Sequence, residues 1–241
     1  MTPSMIALLA VFFLFLSGFV FFNFKAARRK VHRDDEISRL ANSRGWQYAI
    51  PQDPAAGFHL SGKAFSRFSW QLEVCCGEEG GHSTWSVGAW QSSECFAAIL
   101  PASIYNLYAG DEGQVRLRVM DRLSLWQSGE STILAKIFPQ GKVIPMGTPD
   151  FQRNYKVISN DPALALALFS RKLETALLSW RAPAAAADKL QVFASSTGLQ
   201  VEFDETANPA QIDKLVSLGL DCLVGVSALL EPVELQPLDH P

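Results

Sequence analysis

Between Met5 and Phe24 the chain runs for twenty residues without a charge, interrupted only by Ser17, Gly18 and Asn23. At 1.5 Å per residue, a helix of that length spans roughly 30 Å, the thickness of a bilayer's hydrocarbon core. A helix satisfies all its backbone N–H and C=O groups internally, as a lipid-exposed segment must. Residues 1–24 are therefore expected to form a transmembrane anchor. A cleaved signal peptide fits less well. It calls for a basic start, a run of about 7–15 apolar residues and a small-x-small cleavage site. Here Met1–Ser4 carries no basic side chain, and Lys25-Ala26-Ala27-Arg28 follows the run.

Past residue 33 the pattern becomes that of a folded domain. Asp34-Asp35-Glu36 places acids in a first helical turn, where they oppose the dipole. Ile37, Leu40 and Ala41 form one stripe, and Gly45 is a C-cap signal. Trp46 and Tyr48 open an extended segment, and Pro51, Pro54 and Gly57 mark a loop over 51–57. The period then shifts to two. Phe68, Trp70, Leu72 and Val74 alternate with Ser69, Gln71 and Glu73; a Gly77–Gly81 turn follows, and Trp85, Val87 and Ala89 alternate back as a hairpin. Phe96–Leu100, closed by Pro101, reads as a central strand. Further strands are expected at 115–119, 133–138 and Lys142–Ile144.

In the last third, Asp161 as N-cap and Pro162 at N1 start a helix expected to run to about Trp180. Gln191–Ala194 and Leu199–Phe203 flank a second hairpin turn. Asn208-Pro209 begins a final helix through Ile212, Leu215 and Val216 to about Leu229. Strands in a run with helices at both ends predict an α+β fold over residues 34–230, an antiparallel sheet covered by helices. Residues 231–241 contain three prolines and are expected to be a disordered tail.

Composition sharpens the division. Hydrophobic residues make up 48% of the chain, but seven of its 16 Phe fall between Phe12 and Phe24, so the remainder is ordinary for a globular domain. Charge is divided in the same way. Lys25, Arg28, Arg29, Lys30 and Arg33 form a basic collar over residues 25–33, and no acid precedes Asp34. Beyond the collar 16 basic residues face all 24 acids, a net charge of −8. An acidic domain argues against nucleic acid as a partner. The collar suits anionic headgroups of the lipid bilayer. With no Lys or Arg before the anchor, the positive-inside rule predicts a single-pass protein of the inner (cytoplasmic) membrane, N-terminus outside and C-terminal domain in the cytoplasm. Cysteines at 75, 76, 95 and 222 have no disulfide-framework spacing and read as reduced thiols.

Candidate chemistry is sparse. His32, His59, His82 and His240 lie far apart, without metal-ligand spacing. Cys75 and Cys76 flank a turn with His82, but adjacent strand residues point to opposite faces and cannot share an ion without a bulge. Gly81-His82-Ser83-Thr84-Trp85 approaches a nucleophile elbow, yet it ends in Trp and continues as a strand. Phosphate loops are absent, and the paired acids lie in turns or helix starts. No cofactor or metal is implied. Trp46, Trp70, Trp85, Trp90 and Trp126 are candidates for a groove, but aromatics on alternating strands are more often core.

Three stretches carry a likeness. They are Leu40-Ala41-Asn42-Ser43-Arg44-Gly45-Trp46-Gln47-Tyr48 behind the anchor and collar; Gly62-Lys63-Ala64-Phe65 with Ala98-Ile99-Leu100-Pro101; and Asp150-Phe151-Gln152-Arg153-Asn154-Tyr155-Lys156-Val157-Ile158-Ser159-Asn160-Asp161-Pro162. In these the chain resembles a family of uncharacterised bacterial single-pass membrane proteins with an α+β cytoplasmic domain. It departs from that pattern at Gly77–Ser83 and at the alanine-rich Pro183–Ala187. The resemblance implies an architecture and no activity. The first-ranked expectation is thus a membrane-anchored interaction or scaffold module with a protein partner at the membrane. Its rivals are a membrane-bound enzyme and a small-ligand or lipid-binding domain.

Overall fold

The computed structural model describes residues 33–51, 57–77, 80–88, 95–109, 140–180, 190–195 and 198–227. The expected anchor, the strands at 115–119 and 133–138, and the tail lie outside the described residues, among which no helix is long and apolar enough to cross a membrane. The chain divides into two compact units, Met1–Trp46 and Gln47–Pro241.

In the first unit, residues 33–44 are helical (α1), with Ile37 and Ala41 of the predicted stripe fully buried. The helix ends as its sequence predicts. Gly45 sits at φ +69°, Trp46 N–H donates to the Ala41 carbonyl at 2.8 Å, and Gly45 N–H reaches Asn42.

Among the described residues the second unit is built on one nine-stranded sheet. Its strands are β1 Gln47–Ala49, β2 Phe58–Ala64, β3 Phe68–Gly77, β4 Gly80–Val87, β5 Ala97–Pro101, β6 Lys142–Ile144, β7 Tyr155–Ser159, β8 Leu190–Ser195 and β9 Gly198–Phe203. They lie in the order β1-β2-β3-β4-β9-β8-β5-β7-β6, and every pairing is antiparallel. The expected α+β class is what the chain forms. Both hairpins stand where the sequence placed them, and the apolar run closed by Pro101 is a central strand: β5 lies between β8 and β7 and is buried throughout.

One sheet face is apolar from β2 to β7. Leu60, Leu72, Trp85, Val201, Val192, Ile99 and Val157 line up across it in register and are buried. Helices α4 (Pro162–Leu168), α5 (Arg171–Trp180) and α6 (Pro209–Val226) supply the rest of this core through Leu164, Leu168, Leu173, Leu177, Ile212, Leu215 and Leu223. Trp85 stacks on Trp70 with centroids 6.4 Å apart and lies against Gly219 of α6. A Cβ at 219 would come within 2.2 Å of the indole, so this glycine sets how closely α6 approaches the sheet. Forcing a methyl into a packed site of this kind costs about 1–3 kcal/mol.

Four elements were not expected from the sequence. The first is β2, where Phe58, Leu60 and Ala64 do alternate, but the run is interrupted by Gly62. That glycine is required because the Trp70 ring lies 2.6 Å from where its Cβ would be. The second is α2 (Ala102–Tyr108), which follows Pro101. The third and fourth are α3 (Pro149–Asn154), capped by Thr148, and the strand β7 that continues from it. The helix predicted from Asp161 to Trp180 is corrected to two. Phe169 leaves helical geometry at ψ 124° and packs edge-on against Phe151 at 5.1 Å, and the Ser170 hydroxyl then caps α5 by accepting from Leu173 N–H at 3.0 Å.

Candidate functional site

The sheet's second face has two halves. Beyond β9 it is apolar: Phe96, Ala98, Leu100, Ile158 and Phe193 form a cluster against which Tyr105 of α2 packs. From β2 to β4 it is polar. His59, Ser61 and Lys63 lie beside Ser69, Gln71, Glu73 and Cys75, and these beside His82, Thr84 and Ser86; all are half-buried or exposed. Registry arranges them in rows. One row runs His59, Glu73, Thr84, Glu202, Gln191 from β2 to β8, and the next runs Ser61, Gln71, Ser86, Gln200. Directly opposed Cβ atoms lie about 5 Å apart, so neighbours in a row are within hydrogen-bonding reach of a shared ligand group.

The row sinks toward the sheet's centre. His59 and Glu73 are half-buried, whereas Glu202 and Gln191 are 7% exposed. Gln191 Oε1 is buried without a hydrogen-bond partner. Glu73 and Glu202 are separated by Thr84's strand, about 9–10 Å at normal spacing, too far to share a proton. Cys75 Sγ lies 3.7 Å from Glu73 Oε1, and His82 faces Cys75 across β3 and β4. Among the described residues no group of three or more His, Cys, Asp or Glu is placed to hold a metal ion.

The sequence candidates fall as follows. Lys25, Arg28, Arg29 and Lys30 lie outside the described residues. Arg33 is described, with Nε 3.5 Å from Asp34 Oδ1. The elbow-like Ser83 is fully buried and works structurally: its hydroxyl donates to the Glu205 carbonyl at 2.8 Å and accepts from Ala207 N–H at 2.9 Å, pinning the β9–α6 loop to β4. Cys75, Cys95 and Cys222 are thiols outside any disulfide. Burial in α6 pushes the Cys222 thiol well up, so it is no nucleophile. Trp70 and Trp85 are core side chains, Trp46 is half-buried, and Trp90 and Trp126 lie outside the described residues; Trp180, not among the candidates, is also core, edge-on to Phe203 at 5.3 Å. None of the described tryptophans on the strands lines a groove.

The polar rows are the feature that sequence reading missed. Their alternation was visible in β3 and β4, but their assembly depends on registry with β2, β8 and β9, which no local pattern encodes.

No family model matches the chain, and no curated protein does. Among solved structures it is similar to the crystal structure of the mycobacterial trehalose monomycolate transport factor A, TtfA. The TM-score is 0.44 and the sequence identity 13%, with 84% of this chain and 98% of that chain covered. What this chain does has to be read from its own residues.

Proposed function

We propose that the protein is a membrane-anchored interaction module of the inner membrane, held by one N-terminal helix, with the domain on the cytoplasmic side of its basic collar. The observation that carries this reading is the one-sidedness of the sheet. Helices cover one face, while the β2–β4 half of the other offers only polar or weakly polar groups, half-exposed and in register. Such a surface suits hydrogen bonding to a protein partner, as in the polar part of a non-obligate interface. Nucleic acid is disfavoured by the domain's net charge of −8.

An enzymatic reading has less support. Among the described residues no three His, Cys, Asp or Glu are grouped so as to hold a metal ion, and the elbow-like serine is committed to a loop. A ligand-binding reading based on the tryptophans loses two of them, Trp70 and Trp85, to the core.

The test is affinity capture of the full chain from intact membranes, beside a Gln71→Arg/Ser86→Arg variant of the polar face. Both sites are solvent-accessible, so the variant should melt at the wild-type temperature. A protein that copurifies with the wild type and is lost from the variant supports the proposal. Identical partners with both, or none with either, removes the polar face from the account.

A further inference from the structure

The hairpin joining β2 to β3 is built against backbone preference. Arg67 N–H closes the turn on the Ala64 carbonyl at 3.3 Å, and its two central residues, Phe65 and Ser66, sit at φ +52° and +62°. These are positions at which such turns favour Asn and Gly. The chain instead places an aromatic there, and the turn turns it outward: Phe65 is 55% exposed, edge-on to Phe68 at 6.5 Å. Lys63 and Arg67 stand on either side, both exposed. The Arg67 guanidinium lies 4.8 Å over the Phe68 ring, which orients its charge at the tip. No Asp or Glu occurs between Gly62 and Leu72.

The end of α6 reaches the turn through Arg67. Arg67 Nη2 reaches the Ser227 carbonyl beyond the end of α6 at 3.5 Å, and Val224 in that last turn is 56% exposed. Gly225 abuts the Ala167 carbonyl of α4, next to Leu166, which is 65% exposed. The stretch Cys222–Leu230 also has no acid. The chain also enters the sheet from this end. Gln47, the first residue of the sheet unit, pairs with Ser61, and the chain before it leaves β1 toward the Phe65 end of β2.

We infer that the Ala64–Arg67 turn is a second bilayer contact, with Phe65 entering the headgroup region of an anionic membrane and Lys63 and Arg67 meeting its phosphates. Exposed aromatics settle at membrane interfaces, and nearby cations are drawn to anionic lipid. The inference rests on the tethered reading given above and adds an orientation to it: the domain is docked rather than free on its tether.

The experiment places a photo-crosslinking p-benzoylphenylalanine at Phe65 in the full chain, reconstituted in phosphatidylcholine vesicles with or without phosphatidylglycerol. The same group at Phe15 reports insertion of the anchor, and at Thr175, exposed on α5, it reports background. The expected result is a lipid adduct at 65 well above that at 175, stronger with phosphatidylglycerol. Lys63→Gln/Arg67→Gln should lower it about fivefold or more. An adduct at 15 with none at 65, a protein adduct at 65, or a lipid adduct indifferent to both lipid charge and the Gln pair would overturn the docking. Loss of the adduct at 15 itself would remove the tether, and both readings with it.

Discussion

Glu174 shows how one buried charge holds two distant segments together. It is 3% exposed, yet its carboxyl accepts from the Thr148 hydroxyl and from Thr148 N–H at 2.9 Å, with Arg171 Nη1 at 3.4 Å. The Thr148 hydroxyl bond holds its pKa below the ordinary 4.5, outweighing the burial that pushes it up. A pKa lowered in the folded state adds stability that is present above the unfolded value and lost as pH falls through the folded one. The detergent-solubilised chain should therefore lose stability below about pH 4.5, and Glu174→Gln should lose less over that window. Melting both at pH 7 and pH 3 checks this; equal losses would show that the charge is not what Thr148 recognises. Little of this was legible in the sequence. Glu174 falls inside the helix expected from Asp161 to Trp180, where nothing singles it out, and its partner lies 26 residues away across an unforeseen helix.

At the scale of elements, legibility followed local chemistry. Asp161-Pro162 was read as a helix start and is one: Oδ1 accepts from Ala163 N–H at 2.9 Å and Leu164 N–H at 3.4 Å. Asp161→Ala should destabilise the chain by about 0.5–2 kcal/mol, and Asp161→Asn, which keeps an acceptor, by much less. Denaturant midpoints decide it, and a cost shared by Asn and Ala would assign the effect to lost charge rather than lost capping. Asn208 capping α6 was equally visible, with the Gln211 side chain closing the box. What stayed hidden depended on partners far along the chain. The break at Phe169–Ser170 needs the Phe151 ring, β2 needs Trp70 over Gly62, and the polar rows need the registry of five strands.

At the scale of the whole molecule, orientation rests on charge. Lys25, Arg28, Arg29, Lys30 and Arg33 follow the apolar run, whereas Met1–Ser4 carry no basic side chain. The flank richer in Lys and Arg is retained on the cytoplasmic side during insertion. If the collar were only a solvated linker, its charge would be dispensable for topology. Replacing all five residues by Gln and adding three Lys after Met1 should then change nothing; on the present reading it weakens or inverts the orientation. A fluorescent protein that folds only in the cytoplasm, fused after Pro241, should glow on the native chain and dim on the altered one. An export-dependent phosphatase at the same position should report the opposite. Were the phosphatase active on the native sequence, the domain would lie outside, where thiols at 75, 95 and 222 meet an oxidising compartment. The Phe65 turn would then face the outer leaflet, and its two cations would have to find their anionic lipid there.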